Sequence, residues 1–196
     1  MIDYTALCCT AALREHMKPL RGNLILLSDN ARVHDQWYAQ LCSVERRHCV
    51  LFTHAETFYS VMAISQSSDN IRDLRKLFIS SITQQLNAER IANGKQQHIL
   101  STWQAIGYRA ASDKRLLGII TDLIRDYRIA IDSNDGVLRC DIDYINRVLN
   151  RHNTAFSNDE PCPAQRFANR FQVNLAAITR SNNGEVKIEY AEITPE

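Results

Sequence analysis

No apolar run in this 196-residue chain approaches the roughly 20 residues a helix needs to cross a bilayer. The longest, such as Asn23–Leu27 and Cys49–Phe52, are far shorter, so no membrane span is expected. The first residues, MIDYTALCCTAALREHM, lack a basic segment followed by an apolar stretch and a small-residue cleavage site, so no signal peptide is expected. The six cysteines, Cys8, Cys9, Cys42, Cys49, Cys140 and Cys162, form no Cys-x-x-Cys pair and are too few to staple a chain of this length. Reduced thiols in a cytoplasm are the expectation. Glycine-rich phosphate loops, metal-ligand motifs, nucleophile–base–orienter sets and helix-turn-helix or RNA-binding signatures are all missing. A net charge of +1 provides no global field to recruit nucleic acid or membrane. Lysine is scarce, with 5 residues against 18 arginines. That skew fits either compositional bias or planar, bidentate contact with carboxylate or phosphate.

What is present is a soluble-protein composition, 45% hydrophobic and 23% charged, in a chain long enough to bury a sizeable core. The most patterned stretch runs from Trp37 to Ile64. With two-residue turns at Glu45-Arg46 and Ala55-Glu56, Val44 faces Arg47, Cys42 faces Cys49, Phe52 faces Tyr59 and Val50 faces Val61. One face then collects Trp37, Ala39, Leu41, Val50, Phe52, Tyr59, Val61 and Ala63, and the other Tyr38, Gln40, Cys42, Cys49, Leu51, Phe58, Ser60 and Met62. This alternation predicts a three-stranded antiparallel meander over about 37–64. The more apolar first face should meet most of the helices.

Before the meander, Ile2–Thr5 and Asn23–Leu27 read as short strands and Cys9–Met17 as a short helix. After it, Ile71, Leu74, Phe78 and Ile82 recur at helical spacing, with Ser68 or Asp69 as cap and Asn93-Gly94 as stop. Gln96–Gln104 reads as a weaker helix and Ala105–Ala111 as extended. Ser112 should cap a helix carrying Leu116, Ile120, Leu123, Tyr127 and Ile131, with Val137–Cys140 a short strand and Asp141 capping the helix of Ile145. Pro163 marks another helix start. The tail, with Asn183-Gly184, reads as a hairpin whose second strand is Val186–Ile193. The predicted fold is α+β, an antiparallel sheet containing the meander with helices packed mainly on one face, as a single domain over 1–170 with a hairpin extension over 171–196 that packs on it.

Three pieces together resemble a known family. They are Trp37-x-Ala39-x-Leu41 with Arg46-Arg47-x-Cys49-Val50-Leu51-Phe52-Thr53-His54 and Thr57-x-Tyr59-x-Val61; Lys114–Asp122; and Tyr144–Asn150. Their order resembles an uncharacterised bacterial family classed as a domain of unknown function, over roughly residues 1–170. Thr121 stands where the family has Asn, and Ile119-Ile120 where small residues or Met are usual. The resemblance implies a soluble bacterial protein and brings no activity with it.

Several side chains invite a functional reading. Arg46, Arg47 and His48 cluster at the first turn and can grip a phosphate or carboxylate, or simply be a solvated turn that blunts edge pairing. Asp122 and Asp126 lie one helical turn apart beside Arg125, as a carboxylate pair or a solvated ion-paired face. Strand alternation puts His48 and His54 on the face opposite Cys42 and Cys49, so this hairpin alone builds no zinc site, and no metal or cofactor is expected. Cys162, in Pro-Cys-Pro with His152 the nearest histidine in sequence, lacks a third orienting group. Arg72, Arg75 and Lys76 form a basic stripe only if they face Arg46 and Arg47. Two classes of function follow. One is a non-catalytic binding or regulatory module for a protein partner or an anionic ligand. The other is a small hydrolase or nuclease using Asp122, His54 or arginines.

Overall fold

The computed structural model of the chain describes residues 3–17, 25–65, 73–152, 160–176 and 192–193. Five strands make one mixed sheet: β1 (Tyr4–Cys9), β2 (Val33–Val44), β3 (Arg47–His54), β4 (Ser60–Ile64) and β5 (Ile106–Ala110), in the order β4-β3-β2-β1-β5. The meander β2-β3-β4 is antiparallel, but β1 runs parallel to both β2 and β5. The sheet is therefore mixed rather than antiparallel throughout. Parallel neighbours need long crossovers, and sequence spacing does not announce them. Beyond β5, Leu26 makes a single parallel bridge to Tyr108.

The first hairpin has the predicted register, with Cys42 opposite Cys49 and Val44 opposite Arg47. Glu45 and Arg46 both take positive φ (46° and 64°), the backbone a two-residue hairpin requires even without Asn-Gly. The Glu45 carboxylate accepts the Val137 N–H at 3.2 Å. It also lies over Gly136, where a β-carbon would come within 2.5 Å and φ is +82°. The second turn is a correction. Phe52 pairs with Val61 and Val50 with Ala63, two residues beyond the expected partners, because the connection holds five residues rather than two. A slip of two preserves the faces.

Among the described residues six helices cover the sheet: α1 (Ala11–His16), α2 (Leu74–Ala88), α3 (Asn93–Thr102), α4 (Lys114–Asp132), α5 (Ile142–Arg151) and α6 (Pro163–Phe171). On the Trp37 face, Leu13 of α1, Phe78 and Ile82 of α2, Ile99 of α3 and Phe167 of α6 join one core. On the Cys42 face, α4 supplies Leu116, Ile120, Tyr127 and Ile131, and α5 supplies Ile145. Being central, β1 is buried on both faces. Cys8 and Cys9 fill opposite cores as small apolar groups, and burial pushes their thiols up to about 11 and about 12.

The helix ends agree with expectation only in part: Asn93-Gly94, expected to stop α2, instead opens α3, and α2 ends at Ala88. Asp141 caps α5 as predicted, whereas Asp113 rather than Ser112 caps α4, and Asp73 caps α2. Residues 137–140 form a turn, not a strand. Ser68, Asp69, Arg72 and the Asn183-Gly184 turn lie outside the described residues; of the tail, Leu175–Ala176 pairs antiparallel with Glu192–Ile193.

One edge of the sheet is closed by side chains. Asn146 and Asn150, one turn apart on α5, accept the outward N–H groups of Met62 (2.9 Å) and Ser60 (2.7 Å). Asn150 also donates to the Ser60 carbonyl at 2.6 Å. Two amides thus stand in for a sixth strand and protect β4 from pairing with another chain. Replacing either asparagine with alanine strands a buried donor. Each substitution should lower unfolding free energy by about 1–3 kcal/mol, read from urea denaturation; an unchanged midpoint would show that the edge does not depend on them.

Candidate functional site

Three polar assemblies stand out. The first joins β2, β3, the following turn and the end of α3. The His54 Nε2 lies 2.6 Å from Asp35 Oδ1, and its Nδ1 lies 2.8 Å from the Thr57 hydroxyl. The Thr57 backbone N–H also donates to Nδ1 at 3.1 Å, which places the ring proton on Nε2, facing Asp35. Trp103 donates to Asp35 Oδ2 at 2.6 Å. Burial works to raise the Asp35 carboxyl, but the bonds from His54, Trp103 and Gln36 N–H outweigh it and hold the carboxyl below its ordinary value. Hydroxyl, imidazole and carboxylate in this order mimic a nucleophile, base and orienter. His54, however, is 0% exposed, and the rings of Trp37 (5.0 Å) and Phe171 (5.8 Å) flank it. Thr57 is buried too, and its hydroxyl already accepts the Tyr59 N–H. The assembly braces the β3–β4 turn.

The second assembly centres on Glu89, just past α2. Arg151 of α5 grips its carboxylate with two nitrogens, at 2.6 and 2.9 Å, and Tyr59 donates its hydroxyl at 3.0 Å. Arg147 Nε lies 3.7 Å away, and both arginines also reach the Ala176 carbonyl. Burial, reinforced by the Glu89 charge, raises the Tyr59 hydroxyl well above its ordinary value, so it stays a donor.

The third is open. A cavity of about 530 Å³ lies at the carboxyl ends of β1, β5 and the Leu26 bridge. Among the described residues its walls include Met17, Leu26, Leu27 and Tyr108, with the polar Arg14, Asp29, Arg109 and Ser112, and Cys9 at the end of β1. Gly107 lets this wall form: a β-carbon there would meet the Leu27 side chain at 2.3 Å. Arg109 Nε is buried with no hydrogen-bond partner. Among the described residues neither Arg14 nor Arg109 forms an ion pair within 4 Å. The volume suits a small molecule, and the ends of parallel strands are where such sheets bind ligands.

The residues singled out in the sequence lie elsewhere. Arg46 and His48 are exposed and Arg47 half-buried. His48 sits 5.3 Å from the His16 ring of α1 on one face, whereas Arg47 acts on Cys49 on the other. Asp122 is 65% exposed and ion-paired to Arg125 at 3.5 Å; Asp126 is 3.8 Å from the same guanidinium. Thr121 is exposed, its hydroxyl bonded to the Leu117 carbonyl. Arg75 donates to the Gln104 carbonyl. Cys162 caps α6 and His152 is exposed. Sequence reading missed Arg14 and Arg109, whose only signal was the excess of arginine, and Asp29, which had none. It also missed Asp35 and Trp103 as partners of His54. Among the described residues, no three His, Cys, Asp or Glu side chains are grouped to hold a metal ion, and no helix is long and apolar enough to cross a membrane.

Mixed sheet, two-faced helical cover and an asparagine-capped edge define an α+β domain. The family model described as Domain of unknown function (DUF6933) matches residues 6–165, and the chain belongs to that family. No curated protein and no solved structure matches it.

Proposed function

We propose that this chain is a non-catalytic binding module whose cavity at the carboxyl ends of β1 and β5 takes a small molecule bearing an anionic group. One observation carries the reading: Arg109 lines that cavity, and its buried Nε–H has no hydrogen-bond partner. A buried donor without an acceptor costs about 1–3 kcal/mol, and a guanidinium fork fits carboxylate or phosphate oxygens. The Cys9 thiol, in the same lining, is pushed up to about 12 by burial, so it is a neutral wall and not a nucleophile. On this reading the anionic ligand sits away from Arg46, Arg47 and His48, of which Arg47 and His48 lie on opposite faces of the sheet. The hydrolase or nuclease reading has the Thr57–His54–Asp35 array in its favour and the burial of that array against it.

The binding reading is tested by calorimetric titration of the full chain with indole-3-propionate, an apolar carboxylate. Saturable binding is expected, weakened at least tenfold in Arg109→Ala and unaltered in an Arg46→Ala/Arg47→Ala variant. Equal binding by Arg109→Ala would reject the site.

Residues 1–170 are proposed as one α+β domain carrying 171–196 as an extension. Support comes from Val173 and Leu175, which bury in the Trp37-face core. A reducing cytoplasm suits the six free thiols.

A further inference from the structure

We propose that Cys42 and Cys49 are a redox-sensitive pair, which a small peroxide closes into a cross-strand disulfide and thiols reopen. The inference is independent of the cavity. Cys42 of β2 and Cys49 of β3 stand directly opposite each other, two residues from the tight turn at Glu45-Arg46. Opposed residues of an antiparallel pair have Cα atoms about 4.5–5.5 Å apart, inside the about 4.4–6.8 Å that a disulfide spans. Both side chains enter the same core, where the two thiols are in contact. The other cysteines are placed differently. Cys8 and Cys9 are neighbours on one strand and fill opposite cores, whereas Cys140 lies in the turn after α4 and Cys162 at the cap of α6.

The pair is set to release one proton and hold the second. The contact with Cys42 outweighs burial and, with the Val44 backbone and the Arg47 charge, holds the Cys49 thiol below its ordinary value. The same contact, followed by burial, raises the Cys42 thiol. A thiolate beside a neutral thiol is the arrangement from which a disulfide closes. Cys42 is 8% exposed and Cys49 not at all, so the oxidant has to be as small as hydrogen peroxide. The thiolate sulfur attacks one peroxide oxygen and the O–O bond breaks. Hydroxide leaves, takes up the proton that the pair released and becomes water, and the attacking sulfur becomes a sulfenic acid. The second thiol then forms the S–S bond and expels the sulfenic oxygen as water. Two thiols and one peroxide thus become one disulfide and two waters. Opposed Cβ atoms lie about 4.5–5.5 Å apart, against about 3.5–4.5 Å in a relaxed disulfide, so closure strains the hairpin and keeps the bond reducible.

The test exposes the reduced, folded full chain to hydrogen peroxide, raised in steps until Cys140 and Cys162 are oxidised. Free thiols are then blocked, and the chain is weighed and digested with trypsin without reduction. Arg46 and Arg47 lie between the two cysteines, so cleavage separates them unless a bond holds them together. A Cys140→Ser/Cys162→Ser variant runs alongside. In that variant the chain should lose the mass of two hydrogens, and in both proteins the Cys42 and Cys49 peptides should travel as one species. Dithiothreitol added to the folded chain before digestion should restore the separate peptides. Separate Cys42 and Cys49 peptides from wild type whose Cys140 and Cys162 are oxidised would overturn the pair, as would a link from either to another cysteine. A bond that forms only in urea, or that dithiothreitol opens only in urea, would overturn the switch.

Discussion

Glu89→Ala is expected to destabilise the chain by about 3–5 kcal/mol, because removing one partner of a buried ion pair leaves the other charge without compensation. The Glu89 side chain is fully buried and Arg151 nearly so. Burial alone would lower the Arg151 guanidinium, yet the hydrogen bonds and charge of Glu89 raise it overall. Loss of the carboxylate therefore strands Arg151, leaves the Tyr59 hydroxyl without its acceptor and frees Arg147. The damage should spread to four places at once: β4, α2, α5 and the Ala176 carbonyl. A double-mutant cycle with Arg151→Ala, read by urea unfolding, should give an interaction energy of about 1–3 kcal/mol. Strictly additive losses would mean that the two groups do not act as a pair.

Asp35→Ala should cost a comparable amount, about 3–5 kcal/mol. Three donors lose their acceptor, and each stranded donor costs about 1–3 kcal/mol, with partial relief by water. They are His54 Nε2–H, Trp103 Nε1–H and the Gln36 N–H. The effect also has a pH signature. The Asp35 carboxyl is held below its ordinary value of 3.8 in the folded chain. A carboxyl depressed by folding contributes stability that is complete above the unfolded value and disappears as pH falls through the folded one. The stability difference between wild type and Asp35→Asn should thus be constant from neutral pH down to about 5 and shrink as the solution is acidified below about 3.8. A difference that grew on acidification would contradict the assignment.

The meander was legible because period-2 patterning leaves few choices of face. Trp37, Phe52, Tyr59 and Val61 lie where alternation puts them, and the tight turn at Glu45-Arg46 follows from the pairing of Cys42 with Cys49. The parallel strands were not legible in the same way. Buried on both faces, β1 shows no alternation, and its neighbours come from residues 33–39 and 106–110, which no local pattern connects. The length of the β3–β4 connection was hidden because Thr57 and His54 hold it by side-chain bonds rather than by a signature turn sequence. His54 was visible as a polar residue in an apolar strand; its partners Asp35 and Trp103 were not, being set by tertiary packing. The same holds for the cavity. Arg14, Asp29 and Arg109 come from three separate segments, each ordinary where it stands, and converge only when β1 and β5 lie side by side. The asparagines of α5 were noticed as part of a family-like segment; their task at the β4 edge depended on which helix packs there.

The most direct measurement is a side-chain nitrogen–proton spectrum that resolves the arginine Nε–Hε signals, followed through a titration with indole-3-propionate. The Arg109 Nε–Hε signal, assigned by its loss in Arg109→Lys, should move saturably, with that of Arg125 on the exposed face of α4 left in place. A titration that shifts Arg46 or Arg47 and leaves Arg109 still would contradict the account and return the anion site to the first hairpin.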